Sequence, residues 1–99
     1  MLYMIVGTIA ADSGPRRETA RAAHLDRLRS LLNEGRLVLA GPCPAVDSSE
    51  PGPAGYSASL IVAEFPSLVA ARDWVGEDPY VRAAVYEDVV VRPFHQVLP

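Results

Sequence analysis

Lysine is absent from this 99-residue sequence: its nine basic residues are all arginines, set against twelve acids for a net charge of −3. The arginines are interspersed with the acids, so no basic stripe forms of the kind that phosphate backbones require. Nucleic acid is therefore not an expected partner. Cysteine is nearly absent too. Cys43 stands alone, which rules out an internal disulfide and a multi-cysteine metal site, and one unpaired thiol suits a reducing cytoplasm better than secretion. Long apolar runs are also missing. No segment nears the roughly 20 residues that span a bilayer, and MLYMIVGTIAAD at the N-terminus has no basic region ahead of it, as a signal peptide would. The expectation is a cytoplasmic chain with no membrane association. The glycine-bearing stretch PGPAG is laced with proline, which lacks the N–H donors of a phosphate loop. His24 and His95 have no metal-ligand spacing, so neither a metal nor a cofactor is expected.

What is abundant is apolar surface. Apolar residues make up 49% of a chain that forms one small domain over residues 1–99. So small a domain cannot hide that much, which points to a homodimer in which a second copy covers the excess. Residues 2–10 (LYMIVGTIA) have the composition of a buried strand. The turn residues Asp12, Ser13 and Gly14 follow, with Pro15 suited to a first helical turn. From Arg16 to Glu34, Leu25, Leu28, Leu31 and Leu32 recur at helical spacing, and Gly35 is placed to end the helix. Residues 36–41 form a second strand, closed by Gly41-Pro42. A proline-rich loop follows, long enough to mark a binding loop. Residues 56–65 make a third strand, Ser67 caps a second helix that stops near Gly76, and Asp78-Pro79 starts a short helical turn through Ala84. Residues 86–97 read as a last strand, in which Pro93 implies an edge position or a bulge. The order βαββαβ is the ferredoxin-like α+β arrangement, an antiparallel sheet with helices on one face. A second subunit is the expected cover for the other, giving a dimeric α+β barrel.

Within this frame, RAAHLDRL (21–28) places His24 on one arc with Leu28 and Leu31, while Arg21 and Arg17 continue that arc toward the helix start. His24 is either a rim histidine satisfying a carbonyl or a general acid–base, its ring suited to proton transfer near neutrality. Asp78 is either only the cap of the turn it begins or, in addition, the carboxylate that orients His24, since it has two oxygens. Asp47 and Ser48 lie in the proline-rich loop, where such residues commonly build turns. No G-x-S-x-G surrounds Ser48, so a Ser-His-Asp triad has little support. Tyr3, Tyr56, Tyr80 and Tyr86 are either packing or pocket walls. Residues 36–41 and 58–63 hold no aromatics, which argues against RNA recognition on the sheet.

The blocks RAAHL, EGRLVLAGPCPAVDS, PGPAGYSASLIVAEFPSLVAA, DPYVRAAVY and VRPF, in this order along the whole chain, resemble the YciI family (YCII-related domain). The resemblance implies a ferredoxin-like fold, a homodimer related to the dimeric α+β barrels, and an active site built on a histidine and an aspartate. These carry over to His24 and Asp78, with Arg21, Asp47 and Ser48 matching further family positions; together with Tyr80 as a pocket wall, these three are the expected substrate-binding residues. Ala22 replaces a frequent proline, and Ala84 a frequent glycine that bears on the turn and the width of the pocket. Some relatives resemble muconolactone isomerases and chloromuconolactone dehalogenases, so the implied activity is a cofactor-free lyase or isomerase acting on a small carbonyl or lactone-like substrate. A non-catalytic small-molecule binding or accessory protein using the same pocket is the alternative.

Overall fold

The computed structural model describes residues 1–99. The chain runs β1 (Leu2–Ile9), α1 (Gly14–Asn33), β2 (Leu37–Pro44), a 3-10 turn (Gly52–Ala54), β3 (Tyr56–Glu64), α2 (Leu68–Gly76), α3 (Pro79–Arg82) and β4 (Tyr86–Phe94). The four strands pair antiparallel in the order β2-β3-β1-β4, which is the ferredoxin-like α+β sheet.

Side-chain alternation sorts β1 between two faces: Tyr3 and Ile5 are buried beneath the helices, whereas Leu2, Met4 and Val6 are half-buried on the other side. Register places Ile5 opposite Ile61 and Val91, and Tyr3 opposite Ala63. The core forms where these residues meet Leu28 and Leu31 of α1, Ala71 and Val75 of α2, and Phe65. On the far face Met4, Val62 and Leu39 share one row, and Val6, Leu60 and Val90 another. No helix covers this face.

The local signals act as their chemistry requires. Pro15 lies in the first turn of α1, and Gly35, at φ 72°, closes it with Arg36 N–H donating to Leu31 O at 2.9 Å. Ser67 Oγ accepts from Ala70 N–H at 3.0 Å, capping α2. Three boundaries differ from expectation. β2 runs through Gly41-Pro42 to Pro44, because an edge strand has one side free and a proline there forfeits no ladder bond. β4 is the other edge and ends at Phe94 rather than residue 97, since its partner β1 begins at Leu2, opposite Phe94. The helical turn of α3 ends at Arg82 because Ala84 adopts the left-handed region at φ 56°, at about 1–2 kcal/mol for a residue with a Cβ. Arg16 secures that turn, donating from Nε to Ala83 O at 2.9 Å and from Nη2 to Ala84 O at 3.0 Å.

One glycine in the sheet is set by a close approach. The Tyr86 ring lies against Gly7, where a Cβ would come within 2.7 Å of three ring carbons. Gly7→Ala must displace that ring, and overpacking of this kind is expected to destabilise the fold by about 1–3 kcal/mol in urea unfolding.

Candidate active site

α1 and α3 together hold one polar cluster in an otherwise apolar interior. His24 sits on the inward face of α1, 5% exposed, and Asp78 at the start of α3 is wholly buried. A buried carboxylate requires partners, and Asp78 has three. Its Oδ1 takes a hydrogen bond from the Tyr80 backbone N–H at 2.9 Å and faces His24 Nδ1 at 2.8 Å. Its Oδ2 accepts from Arg27 Nη1 at 3.0 Å. The same guanidinium donates from Nη2 to Trp74 O at 2.7 Å and lies 4.3 Å over the Trp74 ring, so Arg27 is fixed as well. A carboxylate that accepts from Arg27 and Tyr80 also accepts from His24. The proton of the neutral imidazole is therefore assigned to Nδ1, leaving the Nε2 lone pair free. Nε2 makes no bond within the chain. Tyr80 stacks on the imidazole at 3.9 Å and 9°, while Tyr86 meets it edge-on at 6.3 Å, so the ring plane is held from two sides.

His24 lines a cleft of about 140 Å³ between α1 and the β2–β3 half of the sheet. The space exists because Ala40, Gly41, Pro42 and Ser59 on the sheet side are small. Arg21 and Arg17 line it one and two turns before His24, and neither makes an ion pair. The Arg17 guanidinium lies 5.0 Å from the Tyr56 ring centre and 6.0 Å from that of Tyr80, a cation held by aromatic faces. Two guanidiniums without a carboxylate partner thus stand beside an apolar-walled cleft. Burial raises the Tyr80 hydroxyl's pKa, with Arg17 and Arg21 opposing and Asp78 reinforcing the shift. Burial likewise pushes Tyr86 up to about 12.

Of the residues singled out in the sequence, the fold brings together His24, Asp78, Arg21 and Tyr80. Asp47 and Ser48 lie elsewhere, on the exposed loop after β2, where Ser48 Oγ donates to Glu50 O and accepts from Glu50 N–H, the turn-building role open to it from the start. His95 and Cys43 are exposed, and no group of three His, Cys, Asp or Glu side chains converges. Sequence reasoning missed Arg27, Ser59 and the placement of Tyr86. A signal existed for two of them: Arg27 is three residues from His24 on the helix, and Ser59 is a hydroxyl inside an apolar strand.

Asp78→Ala removes the α3 cap and strands both His24 Nδ1 and Arg27; an expected loss of about 3–5 kcal/mol is measurable by urea unfolding. Tyr86 gives a second check. The unfolded chain releases the phenolic proton near pH 10, whereas the folded chain keeps it until about 12. The stability this contributes is complete below pH 10 and is lost as pH rises toward 12, by about 2–3 kcal/mol, readable from unfolding curves across that range.

Comparison with known proteins agrees over the full length. The profile of the YCII-related domain matches residues 1–95. The protein YciI of Escherichia coli O6:H1 is 55% identical over 97 residues, covering 98% of this chain and 99% of that protein. An uncharacterized protein of Haemophilus influenzae is 44% identical with the same coverage, 98% and 99%. Among solved structures, the 5-chloro-2-hydroxyhydroquinone dehydrochlorinase (TftG) of Burkholderia phenoliruptrix AC1100, in complex with 2,5-dihydroxybenzoquinone, superposes with a TM-score of 0.82 at 22% identity, covering 96% and 94% of the two chains. At that identity the likeness is one of fold.

Proposed function

The chain belongs to the YCII-related domain family, and from that premise we propose that it is a cofactor-free acid–base enzyme of the lyase or isomerase type, with His24 Nε2 as the proton-transfer group. The observation that carries this is the orientation of His24: Nδ1 is committed to a buried carboxylate, and the free Nε2 belongs to a ring lining a cleft with two unpaired arginines. Nε2 takes a proton from a carbon beside a carbonyl, and Asp78 stabilises the imidazolium that results. The electron pair of the C–H bond passes into an enolate, whose charge faces Arg17 and Arg21. Return of the proton to another carbon is isomerisation; departure of a leaving group such as chloride is elimination. TftG, of the same fold, is a dehydrochlorinase complexed with a small oxygenated ring, which is compatible in size with this cleft. Tyr80 forms one wall and holds the imidazole plane. Asp47 and Ser48 have no part in this chemistry, since their loop stands outside the cleft.

A binding protein without turnover is the second reading, favoured by one fact: the three hydrogen bonds of Asp78 join α1 to α3 whether or not His24 exchanges a proton. His24→Gln separates the two. In assays of chlorinated hydroxyhydroquinones and muconolactones, the enzyme reading expects turnover to fall about 10²–10⁴-fold while binding of 2,5-dihydroxybenzoquinone is retained. Weakened binding with no turnover by the wild-type chain supports the binding protein instead.

The homodimer belongs to the same proposal. The uncovered sheet face exposes Leu39 by 47% and Val38 by 43%, and a second copy is its natural cover. Sedimentation equilibrium at micromolar concentration should give twice the 10.6 kDa chain mass, and a monomer would contradict it. The single exposed thiol, Cys43, accords with a cytoplasmic location, and no helix is long and apolar enough to cross a membrane.

A further inference from the structure

Four polar side chains are buried in this chain: Ser13, His24, Ser59 and Asp78. Three have their hydrogen bonds met internally, since Ser13 Oγ donates to Ala10 O at 2.6 Å and His24 and Asp78 meet at 2.8 Å. Ser59 is the exception. It is only 7% exposed, yet its hydroxyl donates to no carbonyl or carboxylate of the chain, and its side chain lines the His24 cleft. The rest of β3 from Ala58 to Ala63 is apolar, so a buried serine among these residues calls for an explanation. On the sheet floor of the cleft its neighbours are Ala40, Gly41, Pro42, Leu60 and Ile61, which makes Ser59 the one polar side chain there. It pairs with Gly7 of β1, the residue whose missing Cβ makes room for the Tyr86 ring. The Tyr86 hydroxyl thereby comes to Ser59, its one side-chain hydrogen-bond partner. The direction of that bond follows from access. Tyr86 Oη is sealed off, whereas Ser59 opens to the cleft. Were Ser59 the donor, the tyrosine proton would be stranded at a cost of about 1–3 kcal/mol. Tyr86 is therefore assigned as donor and Ser59 Oγ as acceptor, which leaves the serine proton for the cleft.

We infer that Ser59 is a ligand-binding residue, its hydroxyl donating to a carbonyl or enolate oxygen of a small ring molecule in the cleft, from the sheet side, while His24 faces that molecule from α1. Tyr86 is a positioning residue that acts only through Ser59. Ser59 and His24 share one cleft of about 140 Å³, small enough for a single ring to meet both. For its chemistry the inference rests on the proton-transfer reading. There His24 Nε2 takes the proton from the carbon beside the carbonyl, the C–H pair becomes the enolate C=C, and the carbonyl π pair moves onto oxygen. The hydrogen bond from Ser59 strengthens as that oxygen gains charge, and Ser59 keeps its own proton. Recognition itself is independent of turnover, so it is tested by binding.

Titration calorimetry with 2,5-dihydroxybenzoquinone, a single ring with carbonyl and enolate oxygens, tests the contact. Ser59→Ala should weaken its binding by about 10- to 100-fold, the range of a hydrogen bond to a charged group. The same change strands the Tyr86 hydroxyl, so the melting temperature should fall. The double variant Ser59→Ala/Tyr86→Phe separates the two effects. It should recover the melting temperature of Tyr86→Phe, because no hydroxyl is left stranded, while binding stays at least about 10-fold weaker than wild type. Infrared spectra of the bound probe report on the bond itself: its carbonyl stretch should lie at higher frequency in the double variant than in the wild-type chain. Ser59→Ala binding the dihydroxybenzoquinone within twofold of wild type overturns the inference, the serine proton then serving only water. So does a double variant that regains binding along with stability, an unchanged carbonyl stretch, or no binding by the wild-type chain at millimolar concentration. Failure of His24→Gln to reduce turnover would defeat the proton-transfer reading and leave these binding results standing.

Discussion

The Asp78 carboxylate is the group around which the rest of the site is organised. It is wholly buried, and two of its hydrogen bonds join α1 to α3, from His24 and Arg27, with Arg27 reaching on to the Trp74 carbonyl of α2. The bond from Tyr80 N–H is internal and starts α3 itself. A buried carboxylate with fewer partners would be a liability of several kcal/mol. With these three it fixes the spacing of the helices and the direction of one imidazole at the same time. Stability and the orientation of the imidazole therefore draw on the same contacts, and no substitution at Asp78 touches one without the other.

From that anchor the shape of the cleft follows. α1 is locked at His24, and small residues line the facing end of β2 and β3, so helix and sheet cannot close on each other there. Tyr80 forms one wall against the imidazole face, while Tyr86 packs across Gly7 at the imidazole edge and Tyr56 lies under Arg17. The arginines at the mouth have no carboxylate partners although the chain carries twelve acids. The acids pair instead with Arg16, Arg27, Arg29 and Arg36. Arg72, Arg82 and Arg92 are unpaired as well, but of the five unpaired arginines only Arg17 and Arg21 line this cleft.

The fold was largely legible in the sequence because its determinants are local. Period-two alternation in β1, leucines at helical spacing in α1, the Ser67 and Asp78 caps and the Gly35 stop each act within a few residues. The strand ends were harder to read, since they depend on neighbours: β2 continues through two prolines only because it is an edge, and β4 stops where β1 begins. At the site, His24, Asp78, Arg21 and Tyr80 were found from the helix arc and the family motif. Arg27 escaped because its role requires knowing that α2 ends against α1, and Tyr86 because its position depends on a β-bulge at Thr8/Ile9 and on Gly7 one strand away. Asp47 and Ser48 sit in a sequence context that fits a binding loop and a simple turn equally well, and only the tertiary placement of the loop separates the two.

The central claim is that Asp78 holds the neutral His24 ring with its proton on Nδ1 and the lone pair of Nε2 free at the cleft. Nitrogen-15 NMR of the histidine side chains at slightly alkaline pH reads this directly. The account predicts that His24 shows a protonated, pyrrole-type Nδ1 and an unprotonated, pyridine-type Nε2, and that Asp78→Asn disturbs this pattern. A His24 with its proton on Nε2, or with two tautomers in fast exchange, would contradict it.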